Sequence, residues 1–150
     1  MAENASRFVD VVTWDKQTGQ PAMASGVLNS RFEWMLIFSP KDDATRTVPL
    51  SSWRGTVDNV YAAPPQRNNE VSKIHAATMP LHVPAFVIGT LCDQSRSVYE
   101  PFCGSGTTLI AAEQLNRTCY GMEISPQYCD VIVKRWENLT GQKATLEARR

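Results

Sequence analysis

The sequence has no surplus of either charge. Fifteen Lys and Arg are balanced by fifteen Asp and Glu, giving a formal charge of zero and an isoelectric point near 6.7, so no basic field draws the chain to nucleic acid or to an anionic membrane. A nucleic-acid role has to rest on a site. No run approaches the roughly 18 apolar residues of a membrane span, and the polar start Met1-Ala2-Glu3-Asn4-Ala5-Ser6 has no basic stretch followed by an apolar one. The chain reads as cytoplasmic. Histidine is scarce, with only His75 and His82, and the four cysteines, Cys92, Cys103, Cys119 and Cys129, contain no C-x-x-C pair. Zinc-finger spacing is therefore absent and no metal is expected. A disulfide framework does not suit an apolar chain of this size, so the thiols are expected to be reduced. What is present, 150 residues with 43% hydrophobic and 20% charged, fits a single domain over 1–150.

Two strands are expected early. Phe8 to Trp14 and Glu33 to Phe38 are rich in β-branched and aromatic residues. Between them, Asp15 to Arg31 carries Gly19, Pro21, Gly26 and Asn29 and reads as a long surface loop. Residues 39–74 show no sustained period and are interrupted by Pro40, Pro49, Gly55, Pro64 and Pro65, as in an irregular insertion. Lys41, Arg46, Arg54, Arg67 and Lys73 lie there with Trp53 and Tyr61. A solvated loop with aromatic anchors is one reading; a nucleic-acid surface, with arginines on phosphates and rings for stacking, is the other.

The second half alternates. Val83 to Leu91 reads as a helix, Ser97 to Glu100 as a strand, Thr107 to Leu115 as a helix and Thr118 to Glu123 as a strand. Ser125 and Pro126 open a third helix as N-cap and N1, with Tyr128, Ile132, Trp136 and Leu139 along one face. This alternation predicts an α/β fold with a mainly parallel sheet, and the expected fold includes an antiparallel hairpin beside it. Gly141 ends the third helix, and 141–150 is expected to fray.

Between a strand and a helix stands Glu100-Pro101-Phe102-Cys103-Gly104-Ser105-Gly106-Thr107-Thr108. Glycines here let the backbone turn tightly and a ligand approach amides at a helix start. A Walker loop would require lysine after Gly106, and a dinucleotide fingerprint would require glycine or alanine where Leu109 stands, so both fail. A nucleoside held without a pyrophosphate remains. Glu123 closes the next strand about twenty residues further on, where an acid can accept hydrogen bonds from ribose hydroxyls.

At these residues the chain resembles the S-adenosylmethionine-dependent amino-methyltransferases of DNA, in the order that puts the cofactor motif near the C-terminus. Glu100 to Thr108 is similar to the family's D-P-F-x-G-S-G-T-T, with Glu for the first Asp, and Gly121 to Tyr128 looks like its ribose-binding stretch. His75 to Leu81 resembles H-P-x-x-K-P-V, with Ala76 for proline and Met79 for lysine. Val11 to Lys16 looks like V-x-W-x-K, and Phe32 to Phe38 like the strand after it. The resemblance implies a partial Rossmann-like methyltransferase sheet with helices on both faces, and S-adenosyl-L-methionine as cofactor. It implies cofactor contacts from Glu100, Pro101, Phe102, Gly104, Ser105, Gly106, Thr107, Thr108, Glu123 and Ile124, and from His75, Thr78 and Pro80 upstream. It places the family's target-recognition region at 39–74, with Arg46, Arg54, Arg67 and Lys73 as DNA contacts.

The family's catalytic [DNS]-P-P-[YFW] is missing. Ala63-Pro64-Pro65-Gln66 lacks both the polar group and the ring and reads as a proline turn. The sequence thus resembles the C-terminal portion of a methyltransferase for adenine in DNA, or for cytosine amino groups, inactive without an upstream catalytic segment. A half-domain should leave a sheet edge and apolar surface for a homo-oligomer or a complementing segment to cover. Two other readings stay open: a non-catalytic module that binds nucleic acid or protein, and a methyltransferase acting on RNA or protein.

Overall fold

The computed structural model describes residues 2–20, 24–42, 47–48, 56–65 and 79–147. They gather into two compact units, Met1–Gln66 and Arg67–Arg150.

In the first unit, a 3-10 turn (Ala2–Arg7) leads into β1 (Phe8–Gln20), followed by β2 (Ser30–Phe38) and β3 (Val60–Ala62). The sheet order is β2-β1-β3, with β1 antiparallel to β2 and parallel to β3. The register places Val12 opposite Met35 and Trp14 opposite Glu33 on one face, and Thr13 opposite Trp34 and Asp15 opposite Phe32 on the other, since side chains alternate along a strand. Val12, Trp14 and Lys16 are buried. Phe32, Trp34, Leu36 and Phe38 line the second face and are exposed, Trp34 by 68%.

Both strands run further than the apolar pattern indicated, β1 as far as Gln20 and β2 from Ser30, each into the stretch 15–31 that reads as a loop. Polar contacts extend the pairing. Arg31 donates two hydrogen bonds to the Asp15 carboxylate, at 2.9 and 3.0 Å, and buried Lys16 donates to Glu33 at 3.2 Å and to Ser30 at 3.4 Å. Gln17, with φ +60°, absorbs a register shift between Asp15 and Gln20. A search for apolar periodicity passes over such a ladder. It also passes over β3, which is three residues long and lies inside the irregular stretch. β3 pairs Val60, Tyr61 and Ala62 with Thr13, Trp14 and Asp15. The Trp14 indole N–H fixes the strand's exit by donating to the Ala63 carbonyl at 2.8 Å, just before Pro64-Pro65.

The second unit runs α1 (His82–Leu91), β4 (Val98–Glu100), α2 (Thr107–Gln114), β5 (Cys119–Gly121) and α3 (Pro126–Thr140). β4 and β5 are parallel, in the register Val98–Cys119, Tyr99–Tyr120 and Glu100–Gly121, with α2 as the crossover that parallel strands require. α2 packs on α1, on α3 and on both strands. Its fully buried Ala111 and Ala112 form a core with Ile88 of α1, flanked by Leu81, Ala85, Cys92, Val98, Leu115 and Cys119. The two alanines permit close approach because they add almost no volume between the helices.

Asn116, at φ +54°, ends α2. Arg117 then ties that end to α1, donating to the Cys92 carbonyl from Nε and Nη2, each at 3.3 Å, and to the Leu115 carbonyl at 2.6 Å. Ser125 occupies the N-cap of α3 but makes no side-chain capping bond, and Gly141, at φ +72°, ends the helix. The chain just past that end is held: Glu137 accepts from Lys143 Nζ at 2.9 Å and from the Ala144 amide at 3.1 Å. These bonds and the Lys143 charge hold the Glu137 carboxyl below its ordinary range.

Trp14→Phe tests the indole bond. It removes a buried donor and some buried volume, so a loss of about 1 to 3 kcal/mol is expected in urea unfolding followed by circular dichroism. An unchanged midpoint would show that the bond to Ala63 does not hold β3 in place.

Candidate functional site

β4 and β5 end side by side, and the glycine loop leaves β4 at Glu100 to enter α2 at Thr107. The turn is tight: the Gly106 amide donates to the Cys103 carbonyl at 2.7 Å. Gly104 and Gly106 have φ of +51° and +81°, values that disfavour side chains. At Gly106 a Cβ would also stand 2.8 Å from Cγ1 of Ile132, so α3 packs directly behind the loop. Gly121 is glycine for another reason, since a Cβ there would overlap the Cys103 sulfur.

Two carboxylates close this end of the sheet. Glu100 accepts from the Phe102 amide on one oxygen and from the Thr108 hydroxyl on the other, both at 3.0 Å. It therefore straps the start of the loop to the first turn of α2. Glu123 accepts from the Gly104 amide at 2.7 Å and from the Ser125 amide at 2.8 Å, linking the loop to the start of α3. Hydrogen bonds to an ionised acceptor are the stronger kind. Phe102 and Ile124 turn outward beside these carboxylates, 86% and 97% exposed. An apolar rim next to oriented polar groups suits a ligand with a flat apolar ring and hydroxyls.

Glu100, Pro101, Phe102, Gly104, Ser105, Gly106, Thr107, Thr108, Glu123 and Ile124 all lie on the carboxyl side of β4 and β5, where ligands settle in open α/β sheets. Within that group Ser105 and Thr107 are buried, with their hydroxyls turned toward Arg135 of α3, 3.3 Å from its Nη1 in each case. Pro80 is buried before α1, and its carbonyl accepts from Val83 at 3.1 Å. His75 and Thr78 lie outside the described residues, as do Arg46, Arg54, Arg67 and Lys73.

Arg135 was not among the residues that the sequence pointed to, although its spacing from Tyr128 and Ile132 puts it on the inward face of α3. The Cys103–Gly121 contact was missed as well. Burial raises the Cys103 thiol above its ordinary pKa and pushes Cys119 up to about 11. A cleft of about 700 Å³, lined by Asn116, Thr118, Trp136 and Gln142 among others, opens where β5 begins. It is therefore at the opposite end of that strand from the glycine loop. Among the described residues no cluster of His, Cys, Asp or Glu could hold a metal ion.

A parallel pair ending in a glycine loop and two carboxylates is an α/β arrangement whose groups suit a nucleoside, and comparison with known proteins gives the family. The DNA methylase family model for N6 and N4 enzymes matches residues 1–134. The chain belongs to this amino-methyltransferase family and has its α/β methyltransferase fold. It is 38% identical over 61 residues to the type II methyltransferase M.HindIII of Haemophilus influenzae, covering 41% of this chain and 20% of that protein. To M.BglI of Bacillus subtilis it is 32% identical over 114 residues, covering 72% and 31%. The chain thus spans less than a third of these relatives. Among solved structures, the M1.HpyAVI–SAM complex superposes with a TM-score of 0.68 at 20% identity, covering 86% of this chain and 62% of that one. The cytosine-N4-specific PvuII DNA methyltransferase gives 0.69 at 20% identity, covering 94% and 58%.

Gly121→Ala forces a methyl group onto the Cys103 sulfur, and a loss of about 1 to 3 kcal/mol is expected on thermal unfolding. The double variant with Cys103→Ala should recover most of it; no recovery would show that the two side chains do not meet. Because thiolate is the reactive form, Cys119 should resist iodoacetamide at pH 8 and label steeply only as the pH approaches 11. Peptide mass spectrometry reads the site, and rapid labelling at pH 8 would contradict the burial.

Proposed function

We propose that this chain is the cofactor-binding part of a DNA amino-methyltransferase that uses S-adenosyl-L-methionine and methylates the exocyclic amine of adenine. The observation that carries the reading is the glycine loop, anchored by Glu100 and Glu123 beside the exposed Phe102 and Ile124. The residues fit the cofactor. The Glu123 carboxylate is an acceptor of the kind to which ribose hydroxyls donate, Ile124 and Phe102 offer apolar surface to the adenine, and the loop backbone at Gly104 to Gly106 lets the methionyl part come close. His75, Thr78 and Pro80 are assigned to the segment that closes over it. The cofactor supplies a methyl group already activated by its sulfonium charge, so the protein's task is to align an amine nitrogen with it and to keep the base out of the stack.

Arg46, Arg54, Arg67 and Lys73 are assigned to DNA phosphates, with 39–74 as the target-recognition region. The groups that grip the base would come from polypeptide outside this sequence, since the chain has no [DNS]-P-P-[YFW]. The exposed Phe32, Trp34, Leu36 and Phe38 support a partner that covers that face, either a second copy or the complementing catalytic segment, because a contiguous apolar patch in water marks an interaction surface. The missing motif also supports a second reading, a non-catalytic nucleic-acid- or protein-binding module.

Titration calorimetry should show S-adenosylmethionine binding that is lost in Glu123→Ala, and light scattering should show a species larger than a monomer. With tritiated cofactor, label should reach DNA only when polypeptide carrying the catalytic motif is added. Methylation by the chain alone would overturn the need for a complement. DNA binding without cofactor binding would favour the module, and label in RNA rather than DNA would move the acceptor.

A further inference from the structure

Arg135 lies on α3 in the series Tyr128, Ile132, Arg135 and Leu139, the three- and four-residue steps of one helical face. A cation therefore occupies a position where an apolar side chain would pack. It is part-buried, and the loss of water lowers its pKa. Among the described residues no carboxylate forms an ion pair with it. Its partners all belong to the glycine loop and the start of α2: Nη1 donates to the Ser105 carbonyl and lies 3.3 Å from both Ser105 Oγ and Thr107 Oγ1.

The position is electrostatically unfavourable. A positive charge at the N-terminal end of α2 opposes the helix dipole, and a partly desolvated cation needs strong acceptors in compensation. What the arrangement achieves is geometric. The Ser105 carbonyl and the Gly106 amide share one rigid peptide plane. Arg135 holds the carbonyl, and the Cys103 carbonyl accepts from the amide at 2.7 Å. The plane is pinned at both ends, and with it the left-handed Gly106 and the approach of Gly104 to Glu123.

We infer that Arg135 is a positioning residue that fixes the Ser105–Gly106 peptide from behind the loop and thereby sets cofactor affinity without touching the cofactor. This rests on the cofactor reading above. An arginine serves the role because its long side chain carries Nη1 to the Ser105 carbonyl and the two hydroxyls, and its delocalised charge is more weakly hydrated than a lysine ammonium and so loses less on partial burial.

The test uses the full chain. Arg135→Gln should weaken S-adenosylmethionine binding in calorimetry by about tenfold or more, the scale of one charge-assisted hydrogen bond. In the cofactor-free chain it should also speed hydrogen exchange at the Gly106 amide. Arg135→Lys should fall between Arg135→Gln and the wild type. Trp136→Phe breaks the neighbouring bond from the indole to Glu113, 3.0 Å long, and should lower the melting temperature while leaving affinity and Gly106 exchange unchanged. Wild-type affinity and exchange in Arg135→Gln would overturn the proposal. If that variant does not fold, the same result in Arg135→Lys overturns it. A wild-type chain that binds no cofactor would overturn the cofactor reading instead, and Gly106 exchange would still report on Arg135.

Discussion

The Glu123 carboxylate takes one backbone N–H on each oxygen, from Gly104 in the loop and from Ser125 at the start of α3, and the shape of the site follows from that bridge. Beside it, the end of β5 and the loop leaving β4 are joined by the strand pairing, by the Cys103 amide donating to the Met122 carbonyl, and by the close approach of Cys103 to Gly121. With it, the loop, the strand end and the following helix are fixed around one charged group. Ser125, at the N-cap position, makes no capping bond through its hydroxyl. The carboxylate two residues earlier already holds its amide and puts negative charge near the positive end of the helix dipole.

α3 then acts as a brace behind the site. Ile132 fills the space that a side chain at Gly106 would need, Arg135 holds the loop carbonyl, and Trp136 reaches Glu113 on α2. Ile132 and Arg135 thus constrain the loop at the strand ends from behind, while Trp136 ties α3 to the last turn of α2, away from the loop.

Much of this was legible in the sequence, for a physical reason. The glycine loop, the closing acid and the helix–strand alternation are local, because glycine, proline and apolar spacing each restrict the nearby backbone directly. The parallel pairing of β4 and β5 followed from the alternation, and the two β-rich runs marked β1 and β2. What escaped detection depends on residues far apart in the chain. The polar cross-strand ties at Asp15–Arg31 and Lys16–Glu33 lengthen β1 and β2, β3 is too short to show a period, and the exclusion between Gly121 and Cys103 exists only once two strand ends meet. Arg135 had a signal in its helical spacing, but apolar periodicity weighs charged residues as surface and so discounts it.

The Glu100 strap has a thermodynamic consequence. By reaching both Phe102 and Thr108 it closes a ring of residues whose conformational entropy is lost when the chain folds. A ligand arriving at Phe102 and Ile124 meets a loop that is already ordered and need not supply the free energy to order it. Little of its interaction energy is then diverted to the backbone. The entropic cost of the recognition surface is carried by the fold, through one acid whose extra methylene, compared with aspartate, lengthens its reach across the loop.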